Sequence, residues 1–312
     1  MASSQQRLIY FKAASAGAFA ATDAVLARNL TSRLLEGDYA SKDEMTGQDG
    51  MRAEELRRPH SGAEFSIEAG GGIETSGTLA APSYDDMLLA CGLAKTASGQ
   101  NVAYTPLNSG TPAPEGKLLM RTHDQMQEVG AVRGSLSFTA NVNERPMWTL
   151  NMMGSYADPV SAGTAPSPDF SGWVAPAKCT AENIPTLTIG GATLCLNTLS
   201  ISDGRNPQVG KFMNCAGTDI AQRGFTGRIT GRWPDLATKD LIQGSHDELL
   251  EALVFRINEV ATGTHLTIGA PKVQVKFAGV QDIGGELGFQ ADLNFTPDQG
   301  DDEITFTFSS AA

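Results

Sequence analysis

The chain has 312 residues, a formal net charge of −12 and only 19% charged residues, with 34 glycines and 15 prolines. That length suits about two domains, each large enough for its own core, and the Gly and Pro content favours strands and turns over long helices. The acidic balance argues against a general nucleic-acid-binding surface, since each phosphate contact needs a Lys or Arg, and no run of about 18 apolar residues is present to span a membrane.

Residues 1–28 join an apolar LIYF at 8–11 to a small-residue run at 13–21. Arg7 and Lys12 precede that run in the manner of a secretory signal, but Ala, Ser, Gly and one Phe are too weakly apolar for its hydrophobic core. This segment reads as a flexible or docking arm ordered by contact with something else. A strand is expected from Asn29 to Gly37. The polar, charged stretch at 38–58 then forms an insertion of about twenty residues, a length that is usually functional in a compact domain.

Residues 64–93 carry the pattern around which the rest is organised. Phe65 and Ile67 alternate with Glu64, Ser66 and Glu68, a strand with period two. Gly70, Gly71 and Gly72 end or bulge it; the absence of a following Lys-Ser/Thr speaks against a phosphate loop. Ser83 is an N-cap candidate for a short helix with Asp85 and Asp86 in its first turn, apolar through Met87, Leu88 and Leu89, and stopped at Gly92.

Residues 95–116, rich in Ser, Thr, Asn, Pro and Gly, read as a surface loop. Two patterned strands follow, with Leu136, Phe138, Ala140 and Val142 on one and Trp148, Leu150 and Met152 on the other. The Asn-Glu-Arg between them makes the pair an antiparallel hairpin. The Pro-rich segment 158–185, which contains Trp173, reads as an extended linker.

The same grammar then returns about 160 residues later, the spacing of a duplicated domain and not of a solenoid unit. GATLCLNTLSISDG repeats the strand at Asn29, residues 205–222 the long insertion, and GFTGRITGRW the strand at Phe65. HDELLEALVFRI is expected to repeat the helix. Val273, Val275 and Phe277, with Leu287, Phe289, Ala291, Leu293 and Phe295, form the closing hairpin. Ile304, Phe306 and Phe308 suggest an added edge strand. The division is an arm at 1–28, a first domain at 29–157, the linker at 158–185 and a second domain at 186–312.

The chemistry of catalysis is absent as a pattern. His60, His123, His246 and His265 are scattered, and no HExxH, GxSxG, Walker A or EF-hand spacing occurs. Asp298, Asp301, Asp302 and Glu303 read as a solvated acidic turn, not a cation site. Cys91 reads as a buried hydrophobe; Cys179, Cys195 and Cys215 read as reduced thiols, with a bridge among them left open. No catalytic, cofactor-binding or metal-ligating residue is assigned, and the chain is expected not to be an enzyme. Duplicated sheets with long polar insertions and open strand edges suit self-association.

The ordered set of Glu74, Ser76, Gly77 and Leu79, then Asp85, Leu88 and Leu89, then Gly134, Phe138, Leu150 and Gly154 resembles the major tail tube proteins of long-tailed bacteriophages. The match spans residues 29–157 and, more loosely, 187–297. The resemblance implies a mainly β fold with short helices: two tandem tail-tube-like β-sandwich domains, each flanked by an α-helix. It implies a structural virion protein that polymerises as stacked rings into the hollow tail tube through which DNA is delivered. The long loops at 38–58 and 205–222 would touch the adjacent ring. Single-domain members form six-membered rings, so two domains per chain imply a homotrimer with pseudo-sixfold symmetry. The implied partners are other copies of the chain, the tape measure protein, the tail terminator and distal tail proteins, and double-stranded DNA that passes without specific binding. The implied place is the virion tail, assembled in the host bacterial cytoplasm. A channel for DNA is expected to carry surplus carboxylates. The other readings are a different tandem β-sandwich structural or adhesion tail component, and a carbohydrate-binding module with Trp148, Trp173 and Trp233 as stacking platforms.

Overall fold

The computed structural model describes residues 7–24, 27–32, 41–44, 55–58, 62–70, 82, 84–108, 110–122, 125–155, 160–161, 167–169, 177–209, 218–220, 223–258 and 265–309. Its first half runs β1 (Arg7–Ala13), a 3-10 turn (Ala21–Asp23), β2 (Ala27–Ser32), β3 (Ser41–Glu44), β4 (Glu55–Arg58), β5 (Gly62–Gly70) and α1 (Asp85–Ala90). It continues through β6 (Leu93–Ser98), β7 (Asn101–Pro106), β8 (Gly116–Thr122), β9 (Gln125–Asn141), β10 (Met147–Ser155) and β11 (Val160–Ser161). Every strand pairing is antiparallel.

The hairpin expected at 131–155 is β9 and β10, with Phe138 opposite Trp148 and Leu136 opposite Leu150. Leu136, Phe138, Ala140, Trp148, Leu150 and Met152 are all buried, as period-two alternation requires. Val142 lies beyond the strand and is exposed. β9 bends at Ala131, whose φ is +50°. Its first part pairs with β8 and β11, and its last part with β10. One long strand therefore belongs to two sheets, β1–β8–β9–β11 and β2–β5–β10–β9, with Ile9, Phe11, Leu118 and Met120 packed into the same core as Leu136 and Trp148.

The second half repeats the plan: β12 (Thr186–Ile189), β13 (Ala192–Thr193), β14 (Leu196–Ser202), β15 (Pro207–Val209), β16 (Thr218–Ile220), β17 (Thr226–Arg232) and α2 (Leu241–His246). It closes with β18 (Leu250–Asn258), β19 (His265–Ile283), β20 (Glu286–Thr296) and β21 (Thr305–Ser309). β19 is the counterpart of β9: its first part pairs with β18 and β21, its last part with β20. The insertions at 38–58 and 205–222 each contain a small hairpin, β3–β4 and β15–β16. The fold is mainly β with two short α-helices among the described residues, as the resemblance implied.

Four elements differ from the sequence reading. The arm contains β1, paired with β8 along its length, with Ile9, Tyr10 and Phe11 buried, because LIYF supplies more apolar surface than solvent tolerates. The expected loop at 95–116 holds the β6–β7 hairpin. Its two-residue turn puts Gly99 at φ +61°, and Val102 and Tyr104 point inward. The second helix is not HDELLEALVFRI. It occupies residues 241–246, where the Asp240 carboxylate accepts from the N–H groups of Ile242 and Gln243 at 3.1 and 2.9 Å. The chain then turns through Glu248 at φ +52° into β18, which buries Leu253, Phe255 and Ile257 at strand spacing. Finally, β21 is not an edge strand: it lies between β19 and β7, with Phe306 and Phe308 fully buried.

Helix α1 starts at Asp85 after Tyr84, and Ser83 lies outside the described residues, as do Gly71, Gly72, His60, His123, Trp173 and Cys215. Much of 158–185 also lies outside them. Its end returns to the β9–β10 turn, where Cys179 N–H donates to the Glu144 carbonyl at 2.7 Å.

Candidate assembly site

Among the described residues, two strand pairings join the halves. The outer side of β9 takes β14, with Ile201 opposite Phe138, Ser200 opposite Thr139 and Leu199 opposite Ala140. The β6–β7 hairpin of the first half extends the sheet of the second, with β7 against β21. The first of these merges two four-stranded sheets into one ordered β2–β5–β10–β9–β14–β17–β20–β19. Beneath it, rings from both halves interlock: Trp148 on Phe306 at 5.0 Å, Phe138 on Phe255 at 6.1 Å and Tyr104 on Phe308 at 5.6 Å.

An ionic seam lies at one end of this join. Arg205 donates to the carbonyl oxygens of Cys91 and Gly92, and its own N–H donates to Asp203 at 3.1 Å. The second Asp203 oxygen accepts from Leu136 N–H at 3.0 Å. Burial pushes the Asp203 carboxyl up to about 6 against these donors. Gly92 has φ +79°, and a Cβ there would overlap the Arg205 guanidinium, so this helix stop is glycine for two reasons. Arg223 spans the seam too, donating to the Leu107 carbonyl of the first half and to Asp301 and Glu303 of the second.

The acidic turn is thereby accounted for. Asp301 and Glu303 hold Arg223, Asp298 pairs with Lys272, and Asp302 accepts from the N–H groups of Asp298 and Gln299. Among the described residues no cluster of His, Cys, Asp and Glu could hold a metal ion. His246 is exposed beside Asp247, 3.1 Å away, at the end of α2. Cys91, Cys179 and Cys195 are free thiols, the first two buried. Trp148 is sealed in the core and so is no sugar platform, and Trp233 is partly buried and packs edge-on against Phe277 at 5.6 Å.

Where β9, β14, β17, β20 and β19 adjoin, the described face of the joined sheet opposite the core is polar. Ser137, Thr139, Ser200, Ser202, Thr226 and Asn294 line a shallow concavity on it. Its described charges sit in cross-strand pairs, Arg228 with Asp292 at 2.8 Å and Arg232 with Glu286 at 3.3 Å, with Lys276 beside Asp292 in register. Hydroxyls and amides outnumber the charges among the described side chains of this concavity. Among the described residues the sheet ends at β2 on one side and at the last part of β19 on the other, two strand edges at which further pairing is physically available.

A family model described as phage tail tube protein matches residues 3–309. The chain belongs to this family. It is therefore a structural tail tube component of a bacteriophage virion. No match was found among curated proteins. The sequence patterns that carried the resemblance thus led to the right family, whereas the seam residues Arg205 and Arg223 went unmarked. Only their places, Arg205 at the start of the 205–222 insertion and Arg223 just after its end, set them apart in the sequence.

Proposed function

We propose that the chain forms rings of three copies that stack into the hollow tail tube. The repeats at 29–157 and 186–312 each supply one sheet-and-helix block, so three chains give six blocks around the axis. The observation that carries this reading is the β9–β14 join: it already places two blocks side by side in one continuous sheet and leaves an unpaired strand at each end among the described residues. Closing such a sheet puts the bulky core and helix layer outside and the polar face inside. The channel is then lined largely by hydroxyls, amides and paired charges, a surface along which phosphate finds few unpaired cations.

In this reading the hairpin-bearing insertions at 38–58 and 205–222 meet the next ring. The tube encloses the tape measure protein, is bounded by the tail terminator and distal tail proteins, and passes double-stranded DNA without specific binding. Assembly takes place in the host bacterial cytoplasm. Electron microscopy of the purified protein tests it: rings or tubes are expected, and protein that stays monomeric at high concentration overturns it in favour of another tandem β-sandwich tail component.

A further inference from the structure

We propose that the cleft at the ionic seam between the two halves is a binding site for a carboxylate, carried by an acidic peptide or by a small organic acid. The inference goes beyond the ring reading and does not depend on it. The cleft has a volume of about 780 Å³. Arg133 of β9 lines it from the first half, and Arg205, Arg223, Asp301 and Glu303 from the second. Three guanidinium groups thus face two carboxylates, a local excess of positive charge in a chain whose net charge is −12.

Both carboxylates are taken up by one arginine. Arg223 donates to Asp301, to both oxygens of Glu303 and to the Leu107 carbonyl. Arg205 is placed differently. Its guanidinium donates to the carbonyl oxygens of Cys91 and Gly92, with no carboxylate bonded to it among the described residues, and Asp203 is met by its backbone N–H instead. A guanidinium has more N–H donors than those two bonds use. Burial lowers Arg205 from its ordinary value, Asp203 opposes that shift and Arg223 adds to it, so a further negative charge beside Arg205 is favoured. Arg133 donates to the Ala113 carbonyl at 2.9 Å and pairs at 3.5 Å with Glu115, a partly exposed side chain whose place a ligand carboxylate can take. The cleft's own charges select the class of ligand. The arginine fork suits a carboxylate or a phosphate, but Asp301 and Glu303 already bring negative charge, and a phosphate ester adds about two charges where a carboxylate adds one. Leu107, Pro112 and Pro297 supply apolar lining for the stem that carries the carboxylate. An occupant touches both halves, as well as the start of the 205–222 insertion and the residue just after its end, so its binding stabilises the join.

Calorimetric titration of the unassembled full-length chain at constant ionic strength tests this. The probes are butyrate, a capped Ala-Glu-Ala peptide, its Ala-Gln-Ala counterpart and inorganic phosphate. Saturable binding of a carboxylate probe is expected, with none of the Gln peptide and weaker binding of phosphate. Tighter binding of the Glu peptide than of butyrate assigns the site to an acidic peptide, and the reverse, or equal affinity, to a small organic acid. Arg133→Gln is expected to weaken the carboxylate at least about tenfold, the loss of one charge-assisted hydrogen bond. Arg205→Lys keeps the charge but loses the fork, and is expected to weaken it similarly; the rise in thermal midpoint that the ligand gives wild type should shrink with it. Absence of saturable carboxylate binding to wild type, tighter binding of phosphate, or either variant folding and binding as wild type does overturns the proposal. None of these results bears on whether rings form, which electron microscopy of the purified protein decides separately.

Discussion

Arg205 reaches from the loop after β14 to the turn that closes α1, donating its guanidinium to the carbonyl oxygen of Cys91, 114 residues earlier in the chain. The contact joins the two halves and fills space that only a glycine at position 92 leaves open. Replacing Arg205 by Ala removes charged hydrogen bonds to two buried carbonyls and is expected to lower unfolding free energy by about 2–3 kcal/mol. Urea unfolding measures it. A loss below about 0.5 kcal/mol, as at an ordinary surface site, contradicts the role.

Arg223 carries the second link. Its loss leaves Glu303, only 5% exposed, without the partner that compensates its charge. Arg223→Ala is expected to cost about 3–5 kcal/mol. Adding Glu303→Gln should recover part of that, because the stranded charge goes with it. A double variant no more stable than Arg223→Ala alone argues that the pair is not coupled.

Asp203 makes the seam sensitive to pH. Its carboxyl is raised from 3.8 to about 6, chiefly by burial. Between those values the folded chain holds a proton that the unfolded chain has released, so this group's contribution is full below about 4 and is lost as pH rises through about 6. A rise of that size corresponds to about 3 kcal/mol. Unfolding free energies of wild type and Asp203→Asn, measured from pH 4 to 7, should diverge, with wild type losing stability relative to the variant as pH rises. Parallel curves contradict the assignment.

Trp148 packs on Phe138 at 4.9 Å and on Phe306 at 5.0 Å, one ring from each half. Trp148→Ala is expected to cost about 3–5 kcal/mol and Trp148→Phe clearly less, read by thermal unfolding. Equal losses contradict a packing role.

The elements legible in the sequence were those where one face alone meets the core. Leu136, Phe138 and Trp148, and likewise Val273, Val275 and Phe289, alternate strictly because their strands are buried on one side. α1 was legible through Asp85, Asp86 and the stop at Gly92. The second helix was misplaced because LEALVFRI has apolar residues at both helical and strand spacing, and packing against β12 and β19 decides for the strand. The β6–β7 hairpin was hidden by its polar outer face, with only Val102 and Tyr104 to mark the inner one. Arg205 and Arg223 act across more than a hundred residues, a relation that no local pattern encodes.

The central claim is that one chain supplies two neighbouring blocks of a six-block ring. Native mass spectrometry of rings released from assembled tubes tests it most directly. Three chains of 32.8 kDa per ring is the expected mass, and six chains per ring contradicts it.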